Sequence, residues 1–300
     1  MRWWKTLREI VSNWGVHRCS AQSAALAFYT IFSLAPILVV VIALAGAVFG
    51  EEAVRGQIFG EFQGLMGRDA ALLVQEVLKS TARPATGRLT ALIGVVTLLL
   101  GATAVFSQLQ EALNTVWAVA PKPGAALTTL LRKRLHSFAL VVGIGFLLLV
   151  SLVLSAALSW FSNYLERVFA FPVDLLLIAN FVVSFVVITL LFAMMYRILP
   201  DVRLAWRDVW LGSVLTALLF VVGKMLIGLY LGRTGLASAY GAAGSLVVIL
   251  LWVYYSSLIF FFGAELTRVH SRQFRPRRQP EEGAVRVPEG QAPSRAITQK

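Results

Sequence analysis

Lys224 interrupts an apolar run from Val209 to Leu231 and is the one charge inside any long apolar run of this chain. A lysine within a membrane span is unfavourable unless it pairs, faces water or snorkels to the surface. It shares a helical face with Ser213, Ala217, Phe220 and Gly228, a mostly small stripe suited to close helix packing. At about 1.5 Å of rise per residue, Lys224 lies roughly 10 Å below the end of its run. On the same count Thr97, Ser155 and Asn180 lie about 8–12 Å below the ends of three other runs. Four polar groups at one depth could line a cavity in which the cation meets an anionic headgroup. Snorkelling with incidental interhelical hydrogen bonds is the plainer reading of the same residues.

Glu265 closes the last apolar run at the opposite side from Lys224. A local ion pair with Arg268, or with Arg197, is the plain expectation; proton coupling is the sharper one. The three histidines, His17, His136 and His270, are scattered along the chain. No HxH, HExxH or paired-aspartate motif occurs, so the clustered ligands that metal-dependent phosphodiester cleavage needs are missing. A GxxxxGK[ST] phosphate loop is also missing. Cys19, the single cysteine, excludes an intramolecular disulfide and a cysteine-rich metal site. The sequence therefore predicts no catalytic site, no metal and no cofactor.

The elements that must position these groups are six expected spans, at about 24–49, 89–109, 137–161, 175–199, 209–231 and 245–265, whose apolar runs in the fourth and sixth stop before Arg197 and Glu265. A bilayer core about 30 Å thick needs about 20 apolar residues of helix. With 58% hydrophobic and 14% charged residues, the chain falls well below the charge content of a soluble domain. The expectation is an all-α membrane protein with six transmembrane helices across 23–270. Its net charge of +12 follows from topology. If both termini are cytoplasmic, most of the 27 lysines and arginines fall in inner loops and the tail. No specific nucleic-acid partner is implied.

Residues 1–22 place Trp3, Leu7, Ile10, Val11 and Trp14 at helical spacing among bases, which predicts an amphipathic helix in the cytoplasmic interface. The outer loop 50–88 carries two apolar stripes separated near Gly67, hence two further amphipathic helices. Pro36 should kink the first span. The pairs Gly46/Gly50 and Gly228/Gly232 signal close helix contact within or between subunits, which leaves a homo-oligomer open. The tail, 271–300, is basic, rich in Pro and Gly and without apolar periodicity, and is expected to be disordered.

Several phrases recur in order: Ala25 to Pro36, including Tyr29; Leu113-Asn114-Thr115-Val116-Trp117; Tyr196-Arg197-Ile198-Leu199-Pro200; Tyr240-Gly241-Ala242-Ala243-Gly244; Trp252; and Gly263-Ala264-Glu265. Over about residues 10–270 the chain resembles the YihY/BrkB family of bacterial inner-membrane proteins. That resemblance implies six helices in the bacterial inner membrane and a structural role for the motif residues. It supplies no mechanism; the ribonuclease BN label that members have carried is widely regarded as a misassignment. The combined expectation is a transporter or lipid-translocating protein of the envelope, acting on an anionic or amphiphilic substrate such as a phospholipid. A non-transporting scaffold is the alternative, and a ribonuclease the third.

Overall fold

The computed structural model describes residues 2–66, 68–81, 104–122, 173–234, 243–274, 279–281 and 283–288. The helices are α1 (Arg2–Val16), α2 (Cys19–Phe49), α3 (Glu51–Met66), α4 (Arg68–Thr81), α5 (104–117), α6 (Val173–Ile198), α7 (Trp206–Thr234) and α8 (Gly244–Phe274). Two short strands, β1 (Val119–Pro121) and β2 (Ala284–Arg286), complete the described elements. Long apolar runs become helices because no water is present in a bilayer core to satisfy backbone groups, and a helix satisfies its own.

Among the described residues, four segments are long and apolar enough to cross a membrane: Cys19–Val39, Phe181–Ile198, Trp206–Ile227 and Gly244–Arg272. They answer to the first, fourth, fifth and sixth expected spans. Of the other two, 89–103 and 137–161 lie outside the described residues, while 104–109 opens α5. α2 runs unbroken through Pro36.

α8 is the organising helix. It packs against α7, α2 and α1, with α3 and α4 also laid on it and on α2. At its beginning, Val248 and Ile249 join Leu38, Ile42, Val54 and Val74 in one apolar cluster. Thus α3 and α4 spend their apolar faces on the ends of spans. Further along, Phe260, Phe261 and Ala264 join Tyr196, Val209, Leu113, Val116 and Cys19 in a larger cluster. α7 and α8 approach closely there because Gly263 has no side chain. A Cβ at that position would collide with Thr216 Oγ1 and the Tyr196 hydroxyl.

Several expected segments have other bounds among the described residues. The amphipathic segment 1–22 is helical only to Val16, and α2 already begins at Cys19. Its helix is also not simply laid on a surface: Ile10 is buried against Leu266 and Val269, while Trp4, Leu7 and Val11 on the other side are exposed. The helix of the last span does not end at 265 but continues to Phe274, with Ser271 buried and Arg272 exposed on it.

The tail 271–300 is not uniformly disordered. Ala284–Arg286 pairs antiparallel with Val119–Pro121, and Pro280 bridges to Val202. Backbone bonds from Glu281 N to Asp201 O (3.0 Å) and from Arg203 N to Gln279 O (3.2 Å) extend the seam. The composition misled because the tail folds by borrowing backbone partners from two remote loops. A three-residue strand carries no periodicity to detect.

Candidate functional site

The junction of α1 and α2 is made by a residue in an unusual conformation. α1 ends with the His17 N–H bonding Asn13 O (2.8 Å) and the Arg18 N–H bonding Gly15 O (3.2 Å). Arg18 then adopts the left-handed region, φ 51° and ψ 42°. That costs a non-glycine residue about 1–2 kcal/mol. The turn places His17 and Cys19, on either side of Arg18, inward toward α8, while Arg18 itself stays exposed. Gln108 Nε2 on α5 donates to Gln22 Oε1 (2.8 Å), fixing the first turn of α2 against its neighbour.

Facing this junction, α8 presents Glu265 and Arg268, one turn apart. Glu265 is 0% exposed, and His17 and Arg268 are each 1% exposed. His17 Nδ1 is paired with Glu265 Oε1. Arg268 Nη1 stands 2.7 Å from His17 Nε2 and 3.4 Å from Nδ1. Cys19 Sγ donates to the same carboxylate oxygen at 3.8 Å. The tautomer follows from the donors. A guanidinium can only donate, so Nε2 must accept, and the ring proton sits on Nδ1 and is given to Glu265. The imidazole is thus neutral between a cation and an anion.

Burying charge in this way is unfavourable unless every lone pair finds a partner. Here one does not. Glu265 Oε2 is buried and has no hydrogen-bond partner among the described residues. Asn13 Nδ2, one turn before His17 on α1, is likewise buried without a partner. Tyr196 OH donates to Phe260 O (2.7 Å) and lies 2.9 Å from Thr216 Oγ1. Thr267 Oγ1 returns to Gly263 O at 2.7 Å.

Glu265 therefore sits inside the packed helices rather than at a surface. Its partner is His17, which Arg268 contacts in turn. Arg197 is engaged elsewhere, its guanidinium 4.4 Å from the centre of the Trp206 ring. The role of His17 was missed, although a signal existed: His17 follows the buried Ile10 by seven residues, about two helical turns, just past the end of α1.

The expected polar quartet is differently placed. Lys224 is exposed on α7, beside Met225, which is 80% exposed, and Leu226. Ser213 and Ala217 on its stripe are buried, so helix contact along that face gives out before Lys224 is reached. Lys224 is three residues short of Ile227, where the apolar span ends, or about 5 Å along the axis. Its side chain can cover that distance. Asn180 is described in its backbone only, within α6, and Thr97 and Ser155 lie outside the described residues.

The motif residues build contacts. Asn114 Nδ2 donates to Asp201 Oδ2 (3.0 Å), and the Asp201 N–H returns to Asn114 Oδ1 (2.8 Å). Pro200 is buried beside this clasp, and Trp117 is packed on the apolar cluster around it. Trp252 is buried against Phe220, and Gly244 is buried at the start of α8. Tyr29 is exposed and Pro36 half-buried on α2; Tyr240 and Gly241 lie outside the described residues.

A family model described as "Virulence factor BrkB" matches residues 10–287, which takes in the tail strand. A UPF0761 membrane protein of Ralstonia nicotianae is 31% identical over 246 residues, covering 81% of this chain and 54% of that protein. A UPF0761 membrane protein of a Psychrobacter species is 26% identical over 88% of this chain and 48% of its own length. The chain thus spans about half the length of these relatives. A Bacillus subtilis protein named ribonuclease-like protein YfkH is 25% identical, covering 91% of this chain and 98% of that one. No solved structure matches.

Proposed function

Starting from a chain that belongs to the BrkB virulence-factor family of membrane proteins, we propose that it is a translocator of the bacterial envelope without a catalytic site. Its substrate is an anionic amphiphile, a phospholipid or a glycolipid headgroup with its chains. The observation that carries this reading is the buried Glu265–His17–Arg268 cluster, set within a membrane-spanning helix. Ionisable groups at membrane depth are unfavourable and mark pathways and relays far more often than they serve stability. Lys224, at the other end of the spans, is the cation that receives the headgroup, with Thr97, Ser155 and Asn180 as the proposed polar neighbours. The accompanying topology is six spans in the inner membrane with both termini cytoplasmic, a positive-inside arrangement. Close contact at the paired glycines leaves room for a homo-oligomer.

A scaffold is the second reading, favoured by the exposure of Lys224 at the end of its span, where it can snorkel and do nothing more. The ribonuclease-like name of the Bacillus relative gives a third. Among the described residues no group of three or more His, Cys, Asp or Glu is placed to hold a metal ion.

Reconstitution separates the readings. Vesicles carrying the protein and a headgroup-labelled anionic phospholipid should expose the inner-leaflet label to an impermeant quencher faster than protein-free vesicles. Lys224→Met should slow this without changing the amount of folded protein. Equal rates with and without protein would leave the scaffold.

A further inference from the structure

We propose that the end of α6 and the start of α7 bind the headgroup of an anionic phospholipid through Arg197 and Arg207, with the acyl chains laid along the exposed face of α7. The site goes beyond the translocator reading and does not rest on it, since a lipid can be held there whether or not it is moved.

The hairpin between the two helices separates its charges. Asp201 and Asp208 are both buried and bonded inward. Asp201 accepts from Asn114 Nδ2 at 3.0 Å and from Gln110 Nε2 at 3.2 Å, and Asp208 Oδ2 accepts the Ala205 N–H at 2.8 Å. Arg207 is exposed and Arg197 half-buried, and among the described residues neither forms an ion pair with a carboxylate. Arg203, the third base, belongs to the tail seam through Gln279. Arg197 is nevertheless held in place. Its guanidinium lies 4.4 Å from the centre of the Trp206 ring, a cation–π contact that orients the group and uses none of its N–H donors. Two such guanidinium forks match a phosphate, whose oxygens accept paired, charge-assisted hydrogen bonds.

Beyond the bases the same side of the helix turns apolar. Arg207, Leu211, Val214 and Leu218 recur at helical spacing and line one face of α7. Leu211, Val214 and Leu218 are 39%, 42% and 49% exposed. From Arg207 to Leu218 is about 16 Å along the axis, close to the apolar depth of one leaflet. Trp206 and Trp210, both exposed, flank Arg207 at the end of the stripe, where interfacial aromatic rings sit at headgroup level. Bases above an apolar stripe of that length fit a lipid rather than a soluble phosphate, which has no chains to lay on it. A second copy of the chain fits less well. The one carboxylate on α7, that of Asp208, is turned inward, so two such faces brought together would bury bases without a counter-charge. Under the proposed topology this end meets the cytoplasmic leaflet, whose anionic lipids attract bases at the membrane surface.

The test uses the full chain in phosphatidylcholine nanodiscs doped with a trace of lipid that carries a photoreactive group on its acyl chain. The trace lipid has either a phosphatidylglycerol or a phosphatidylcholine headgroup. Crosslinks to residues 204–218 would be mapped by mass spectrometry at fixed ionic strength. Phosphatidylglycerol should label this segment in excess over phosphatidylcholine. Arg207→Gln and Arg197→Gln should each cut that excess about fivefold, the effect of one base near a membrane surface. Trp206→Leu should act like Arg197→Gln, and Trp206→Phe, which keeps an aromatic face, should retain the excess. Equal labelling by the two lipids in the wild type overturns the proposal, as does an undiminished excess in the Arg197→Gln, Arg207→Gln double variant. Labelling by neither lipid also overturns it, because the face would then be covered by another helix or a second copy. So does loss of the excess when inorganic phosphate is added at the same ionic strength, which would mark a site for free phosphate. Should Arg197→Gln fail to fold, Arg207→Gln carries the test alone, since its side chain is exposed. A headgroup preference in a protein that moves no lipid would remove the translocator reading and keep this site; lipid movement without the preference would do the reverse.

Discussion

Glu265 is the residue whose chemistry most constrains the rest. Its Oε1 receives His17 Nδ1 and, more weakly, Cys19 Sγ, while Oε2 receives nothing among the described residues. Removing one member of a buried, paired set leaves the others unpaired, which typically costs about 3–5 kcal/mol. Glu265→Ala should therefore lower the thermal unfolding midpoint markedly in detergent, because Arg268 and His17 stay buried. Glu265→Gln should cost less, since an amide still accepts from Nδ1. A Glu265→Ala midpoint equal to wild type would mean that the carboxylate is solvated and the cluster marginal. Lys224 presents the opposite case. It stands exposed near the end of its span, so its truncation to methionine should leave stability intact and affect only substrate handling.

Elements are tied together by remote contacts that local patterning does not announce. The reciprocal Asn114–Asp201 pair fastens α5 to the loop after α6, and the tail strand then closes over both through Val119–Pro121 and Val202. Asn114→Ala would remove both of its bonds to Asp201, at a cost of about 1–3 kcal/mol for buried groups that lose a partner. The expected result is faster proteolysis of the 119–122 and 200–204 segments in the folded protein. Protection equal to wild type would show that β1–β2 pairing alone holds them. Periodicity and apolar length made the described spans and the helices α3 and α4 legible, since both depend on residues close in sequence. β2 was not legible, because a three-residue strand is defined by its partner. Nor was His17, whose meaning depends on Glu265 across 248 positions. Asn114 and Tyr196 stood out only as recurring phrases; their hydrogen bonds supply the physical reason.

The whole molecule combines two unequal ends. At one, α1, α5, the loop after α6 and the tail strand surround the buried charge cluster. At the other, α3 and α4 pack on α2 and α8 near Val248, and α7 carries Lys224 outward. Under the proposed translocator reading, a headgroup is received at the end that carries Lys224 and passes toward the end that holds the buried cluster. A scaffold has no need to bury an incompletely bonded carboxylate inside a spanning helix. The decisive measurement follows from that difference. Proteoliposomes holding the full chain and a labelled anionic phospholipid would be compared with protein-free vesicles, and label movement between leaflets would be followed. The account predicts movement faster than in protein-free vesicles and slowed in Lys224→Met. Movement no faster than in protein-free vesicles would contradict it.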